Sequence, residues 1–228
     1  MKVIPSLFSL LFVTLGLASP IAVEVRDPEV VAVLEARQFS GTGITANELK
    51  NGPCKPVTYI FARGSTELGN LGQTVGPALA NQLQSQFDVA VQGVDYPAGL
   101  TTNFFGGSLI GISEMRDMFN LAASKCPDTI IVGGGYSQGA ALTHRSVEDL
   151  SASVRNRIAG IVTFGDTYNL QSGGRIPGLP QEKLKIICNT GDLVCAGTLV
   201  IAPAHLDYVR RVPEAASFLT DRIRAAQA

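Results

Sequence analysis

The sequence predicts an α/β domain, a doubly wound sheet of about five parallel strands flanked by helices on both faces. Three observations predict it. Short apolar runs, most of them rich in Val and Ile, occupy residues 57–62, 89–94, 129–133, 158–164 and 184–188. Their near-continuous apolar character marks strands buried on both faces, as in a parallel sheet. Helical stretches lie between them, and strand–helix alternation is the pattern of parallel crossover connections.

In chain order, the run Val57-Thr58-Tyr59-Ile60-Phe61-Ala62 opens the sheet and ends in the polar turn Arg63-Gly64-Ser65-Thr66-Glu67. Residues 76–87 read as a helix leading to the run at 89–94. Residues 108–124 read as a helix before the run at 129–133, and residues 138–150 as the helix after it. A turn near 153–157 precedes the fourth run. The fifth is followed by a loop and then by a last helix after Pro213, a residue that suits a first helical turn. In such a sheet, ligands bind outside the carboxyl ends of the strands.

The chain has 228 residues, 46% of them apolar and 16% charged, enough for one sizeable core. The formal net charge of −1 suggests neither a nucleic-acid surface nor a polybasic membrane patch. Lys2, the apolar run at 7–17 and the small residues Gly16 and Ala18 read as a signal peptide over 1–18. That run is short of the ~20 residues of a membrane span, so no stable membrane anchor is expected. Residues 19–37, acidic and ending at Arg37, read as a pro-segment or flexible arm. A single domain over 38–228 follows.

Secretion permits disulfides. The four cysteines, Cys54, Cys126, Cys188 and Cys195, allow three pairings. Local spacing favours Cys188–Cys195, which leaves Cys54–Cys126. No C-x-x-C pair occurs, and neither a metal nor any other cofactor is expected.

The strongest chemical signal is Gly135-Tyr136-Ser137-Gln138-Gly139, between an expected strand and an expected helix. That context is the nucleophile elbow of an α/β-hydrolase. The turn is sharp and needs small residues two before and two after the serine. The helix N-terminus then points backbone N–H groups at the oxyanion formed on attack. A serine hydroxyl needs a base, and the chain has two histidines, His144 and His205. His144 lies about 10 Å along the same helix, out of reach, and reads as a surface or packing residue. His205 remains. It sits after the last strand, where the triad histidine of this fold falls. Asp166 and Asp192 each follow a strand end. Asp192 is the chosen acid, because Cys188 and Cys195 bracket it; Asp166 is the alternative, and Asp207 sits too near His205 in sequence. The oxyanion donors are the backbone N–H of Gln138 and, from the loop after the first strand, Ser65.

Phe61-Ala62-Arg63-Gly64-Ser65-Thr66-Glu67, Gly135-Tyr136-Ser137-Gln138-Gly139, Cys188-Asn189-Thr190-Gly191-Asp192-Leu193-Val194-Cys195 and Pro203-Ala204-His205 together resemble the fungal cutinases. The resemblance runs from about Cys54 to the C-terminus. It implies a compact lidless α/β-hydrolase that cleaves cutin, the hydroxy-fatty-acid polyester of the plant cuticle, and short acyl esters. It matches Ser137, Asp192 and His205 to the triad and Ser65 and Gln138 to the oxyanion hole. It matches the pairs Cys54–Cys126 and Cys188–Cys195, and it makes Leu100, Leu199, Ile201 and Leu206 apolar rim positions. Asn103 matches a residue that orients the Ser65 loop. The stretch around Phe104-Phe105 departs from the pattern, being bulkier and more apolar. The expected molecule is a secreted monomer acting on insoluble polyester or lipid ester. Acetylxylan esterase is the alternative enzyme, and its sugar substrate calls for a polar cleft rather than an aliphatic rim. A non-catalytic surface-active protein is the alternative outside enzymes, and an intact triad argues against it.

Overall fold

The first strand, β1 (Val57–Ala62), is buried at every position, because it is covered on both faces. Val57, Tyr59 and Phe61 join one apolar cluster, while Ile60 and Ala62 join the other, the period-two alternation of a pleated strand. The computed structural model describes residues 41–228, apart from the side chains of Phe104 and Phe105. The expected leader and arm over 1–37 lie outside the described residues. Residues 41–228 form one compact unit.

After a short helix α1 (Glu48–Asn51) and β1 come α2 (Val75–Gln84), β2 (Val89–Gly93), a 3-10 turn (Thr101–Phe105), α3 (Leu109–Lys125), β3 (Ile130–Tyr136) and α4 (Gln138–Glu148). Then follow α5 (Ala152–Asn156), β4 (Ile158–Phe164), α6 (Asn169–Ser172), β5 (Leu184–Ile187), α7 (Pro203–Leu206) and α8 (Val212–Gln227). The five strands are all parallel, in the order β2-β1-β3-β4-β5. Leu79 and Leu83 of α2 and Leu219 and Ile223 of α8 pack on one face of the sheet. Met115 and Phe119 of α3 and Leu142 of α4 pack on the other. Burying each such side chain contributes about 1.5–3 kcal/mol.

The architecture is the one the sequence predicts, with local differences. β3 runs on to Tyr136, past the expected end at 133. Gly133, Gly134 and Gly135 have little intrinsic strand preference, but β1 and β4 pair with them from both sides. The expected turn near 153–157 is the helical turn α5, capped by Ser151, whose Oγ accepts the Val154 N–H. The expected loop around His205 holds the one-turn helix α7, with proline at its start.

Because every strand runs the same way, their carboxyl ends share one edge. The chain leaves that edge at Ala62, Gly93, Tyr136, Phe164 and Ile187, and the segments that follow carry the candidate chemistry. No described helix is long and apolar enough to cross a membrane.

Candidate active site

Ser137 joins β3 to α4 with φ 56° and ψ −120°. A residue with a Cβ reaches that region at a cost of about 1–3 kcal/mol and stays there only when its surroundings impose it. Its N–H donates to Phe164 O at 2.9 Å. Its carbonyl accepts the Ala140 N–H at 2.9 Å and the Thr167 hydroxyl at 3.3 Å. The flanking glycines are sterically required: a Cβ on Gly135 would lie 2.1 Å from Gly139 O, and one on Gly139 would lie 2.0 Å from Ala62 O.

The Ser137 hydroxyl meets His205 Nε2 at 2.9 Å, and His205 Nδ1 meets Asp192 Oδ2 at 2.9 Å. The structure therefore brings Ser137, His205 and Asp192 into one hydrogen-bonded chain, with all three buried. Asp192 Oδ1 accepts the Val194 N–H at 3.0 Å, and Oδ2 also accepts the Tyr208 hydroxyl at 2.6 Å. Burial, and next the bond to Asp192, push the Tyr208 phenol well above its ordinary value, so it stays a donor. Tyr136 stacks on the His205 ring at 5.5 Å and donates its hydroxyl to His205 O at 2.8 Å. Asn189 links the acid loop to the histidine segment: its Nδ2 donates to Ala204 O and Asp207 O, each at 2.9 Å, and its N–H donates to the Tyr208 hydroxyl. Sequence reasoning missed Tyr208 and Asn189 as parts of this assembly.

Asp166, the alternative acid, bonds elsewhere. Its Oδ2 meets His144 Nε2 at 2.6 Å and accepts the Thr163 hydroxyl at 2.8 Å. His144 is 1% exposed, which settles the surface-or-packing alternative in favour of packing.

Ser65 lies in the loop after β1. Its Oγ accepts from Asn103 Nδ2 and from Gln138 Nε2, both at 2.9 Å. With both lone pairs engaged, the Ser65 hydroxyl hydrogen is left to donate. The Gln138 backbone N–H, in the first turn of α4, has no intrahelical acceptor. Two residues pin the Ser65 loop. The Arg63 guanidinium donates to Tyr96 O at 2.6 Å and Glu67 O at 2.8 Å. The Glu67 carboxylate accepts the Gly64 N–H at 2.7 Å and the Thr74 hydroxyl at 2.6 Å.

Leu100, Leu199, Ile201 and Leu206 are all exposed, as are Val200 and Leu193. A cavity of about 610 Å³ is lined by Asn103 and Leu199 with Arg145, Thr167 and Tyr168 among its other walls. Both expected disulfides are present, Cys54–Cys126 and Cys188–Cys195.

A family model described as Cutinase matches residues 53–223. The chain is 49% identical over 207 residues to cutinase CUT2 of Pyricularia oryzae, covering 89% of this chain and 96% of that one. It is 49% identical over 226 residues to cutinase 2 of Fusarium vanettenii, covering 94% and 96%. It is 46% identical over 220 residues to a probable cutinase 1 of Aspergillus niger, covering 93% and 81%. A solved Trichoderma reesei cutinase with a phosphonate inhibitor superposes with TM-score 0.72 at 32% identity, covering 84% of each chain. An acetylxylan esterase structure, with TM-score 0.55 and 19% identity over 75% of this chain and 99% of that one, shares the fold alone.

Proposed function

The chain belongs to the cutinase family of carboxylic ester hydrolases, and on that premise we propose that it is a secreted monomer that hydrolyses cutin through an acyl-enzyme on Ser137. One observation carries the mechanism: the unbroken hydrogen-bonded line from Ser137 Oγ through His205 to Asp192, with the serine held on a strained turn. His205 Nε2 takes the hydroxyl proton as Oγ attacks the ester carbonyl. The carbonyl oxygen, now an anion, is met by the Gln138 N–H and the Ser65 hydroxyl, and each such donor contributes about 10²–10³ in rate. His205 returns the proton to the leaving alkoxide, and water repeats the sequence on the acyl-enzyme. Asp192 holds the imidazole with Nδ1 protonated, so that Nε2 is free to accept. All three residues come from one chain, which supports action as a monomer. The leader at 1–18 and the two disulfides support secretion.

The substrate reading rests on the exposed aliphatic rim, which suits contact with an insoluble surface. It is tested by measuring hydroxy-fatty-acid release from polymeric cutin beside acetate release from acetylated xylan, with a chain-length series of 4-nitrophenyl esters. Faster release from cutin is expected; a preference for acetylated xylan overturns the reading in favour of an acetylxylan esterase.

Leu100→Asp and Leu199→Asp are expected to slow hydrolysis of insoluble polyester more than that of a soluble short ester. The rim must shed water against the polymer, whereas a small ester needs the cleft alone. Equal losses on both substrates remove the rim from substrate docking.

The bridges are expected to separate in their effects. Cys54–Cys126 spans 72 residues of sequence, and closing so long a loop contributes about 4 kcal/mol by chain entropy. Cys188–Cys195 spans 7, contributes about 2.5 kcal/mol on the same basis, and encloses Asp192. Cys54→Ser/Cys126→Ser is expected to lose melting temperature first and keep turnover while folded. Cys188→Ser/Cys195→Ser is expected to lose turnover while circular dichroism still reports a folded chain. Full turnover in a folded Cys188→Ser/Cys195→Ser variant shows that the bridge does not position the acid.

A further inference from the structure

The ester-cleaving scheme leaves one buried ionisable pair unused. Asp166 is fully buried, and a carboxylate in such a place persists only when its oxygens are hydrogen-bonded. Here it has three partners. The Thr163 hydroxyl donates to Oδ2, His144 Nε2 meets Oδ2 at 2.6 Å, and the Tyr168 N–H donates to Oδ1 at 2.9 Å. His144 Nδ1 has no partner. Nε2 therefore carries the proton that it donates to Asp166. Among the described residues neither member of this pair bonds the Ser137 hydroxyl, whose partner is His205, and the pair takes no part in proton transfer.

What the pair joins is informative. His144 belongs to α4, the helix that starts immediately after Ser137. Asp166 belongs to the segment between β4 and α6, and that segment touches both reacting side chains' supports. Phe164 O accepts the Ser137 N–H, and the Thr167 hydroxyl donates to Ser137 O. Gly165 lies flat against the triad histidine: a Cβ there would sit 2.8 Å from His205 Cε1 and 2.9 Å from Nδ1. Tyr168 adds an edge contact to the His144 ring at 5.7 Å. One strut thus links the helix behind the nucleophile to the backbone that forms the back wall of the base.

We propose that Asp166 and His144 are positioning residues for ester hydrolysis: their buried hydrogen bond fixes the 164–168 segment, which sets the distance and angle between Ser137 Oγ and His205 Nε2. This rests on the serine-esterase reading given above.

The test is steady-state kinetics on 4-nitrophenyl butyrate with the rate of inactivation by a phosphonate ester and the melting temperature, on three variants. His144→Leu/Asp166→Leu removes the buried charge together with its ring partner, a change often neutral or stabilising for the fold, but leaves the Thr163 hydroxyl and the Tyr168 N–H without that acceptor. It is expected to melt somewhat below the parent, to remain folded at the assay temperature and to keep KM. Its kcat and phosphonate inactivation rate are expected to fall together by about 10- to 100-fold, since a misplacement near 1 Å can cost about 10². His144→Gln keeps a side-chain N–H for Asp166 and is expected to hold kcat within about twofold of the parent. Thr163→Val, nearly isosteric, removes one Asp166 bond and is expected to lower kcat about threefold at unchanged KM. Parental kcat in the folded double variant overturns the proposal, as does a kcat that falls only with the folded fraction. If the double variant does not fold, parental kcat in Thr163→Val overturns it. Loss of the serine-esterase reading looks different: Ser137→Ala would then keep its activity.

Discussion

Ser137→Ala is expected to lower kcat on a soluble 4-nitrophenyl ester by about 10⁶-fold with KM nearly unchanged. His205 Nε2 lies 2.9 Å from Ser137 Oγ, so the variant leaves the base facing a methyl group. No other described hydroxyl bonds to that nitrogen. Residual catalysis of about 10³–10⁴ over water is expected to persist, because the Gln138 N–H and the Ser65 hydroxyl do not depend on the serine side chain. The fold is expected to survive. The positive φ of residue 137 is imposed by Phe164 O and the Gly135–Gly139 approach, and alanine meets it at the same cost as serine. The check is turnover and thermal melting on one preparation. A folded variant with more than about 1% of parental turnover places the nucleophile elsewhere.

Asp192→Asn is expected to cost about 10⁴ in kcat while leaving the surrounding geometry in place. Asparagine can keep the Val194 N–H on its oxygen, which turns its NH₂ toward Tyr208 and His205. That group donates, so His205 Nδ1 must accept and the proton moves to Nε2, where it blocks proton transfer from Ser137. The Tyr208 hydroxyl, held as a donor by burial and by the carboxylate, would then have to turn and accept. The expected signature is a lost kcat with an unchanged melting profile and a normal KM. A loss of tenfold or less would mean that Asp192 does not set the tautomer.

How much of this was legible in the sequence depended on whether function was written into local sterics or into distant convergence. The elbow was legible because close packing at Ser137 admits only small neighbours, and Gly135 and Gly139 supply them. His205 was legible by elimination, since the only other histidine sits too far along α4. Asp192 was legible from its place after β5 and between two cysteines. Tyr208 was not: a lone tyrosine between Asp207 and Val209 carries no local signal of a role, and its hydroxyl reaches Asp192 across 16 residues of sequence. The His144–Asp166 bond spans 22 and joins a helix to a strand end, a meeting that no pattern of spacing announces. A tyrosine three positions after His205 was the one local hint available. In the fold, the strand boundaries at β1 and β4 were legible because β-branched and aromatic residues fill them. The glycine-rich end of β3 was not, because its strand character comes from neighbours on both sides.

The aromatic surroundings of His205 also give the protein an optical property. The chain has no tryptophan and five tyrosines. Tyr136 and Tyr208 contact the His205 ring, and Tyr168 contacts the His144 ring. Near-ultraviolet dichroism and intrinsic emission in the tyrosine band therefore include two rings, Tyr136 and Tyr208, that border His205, with no indole to mask them. An acylated or phosphonylated Ser137 that shifts the imidazole changes the asymmetric field at two of the chromophores directly, so occupancy of the site becomes readable without any added label.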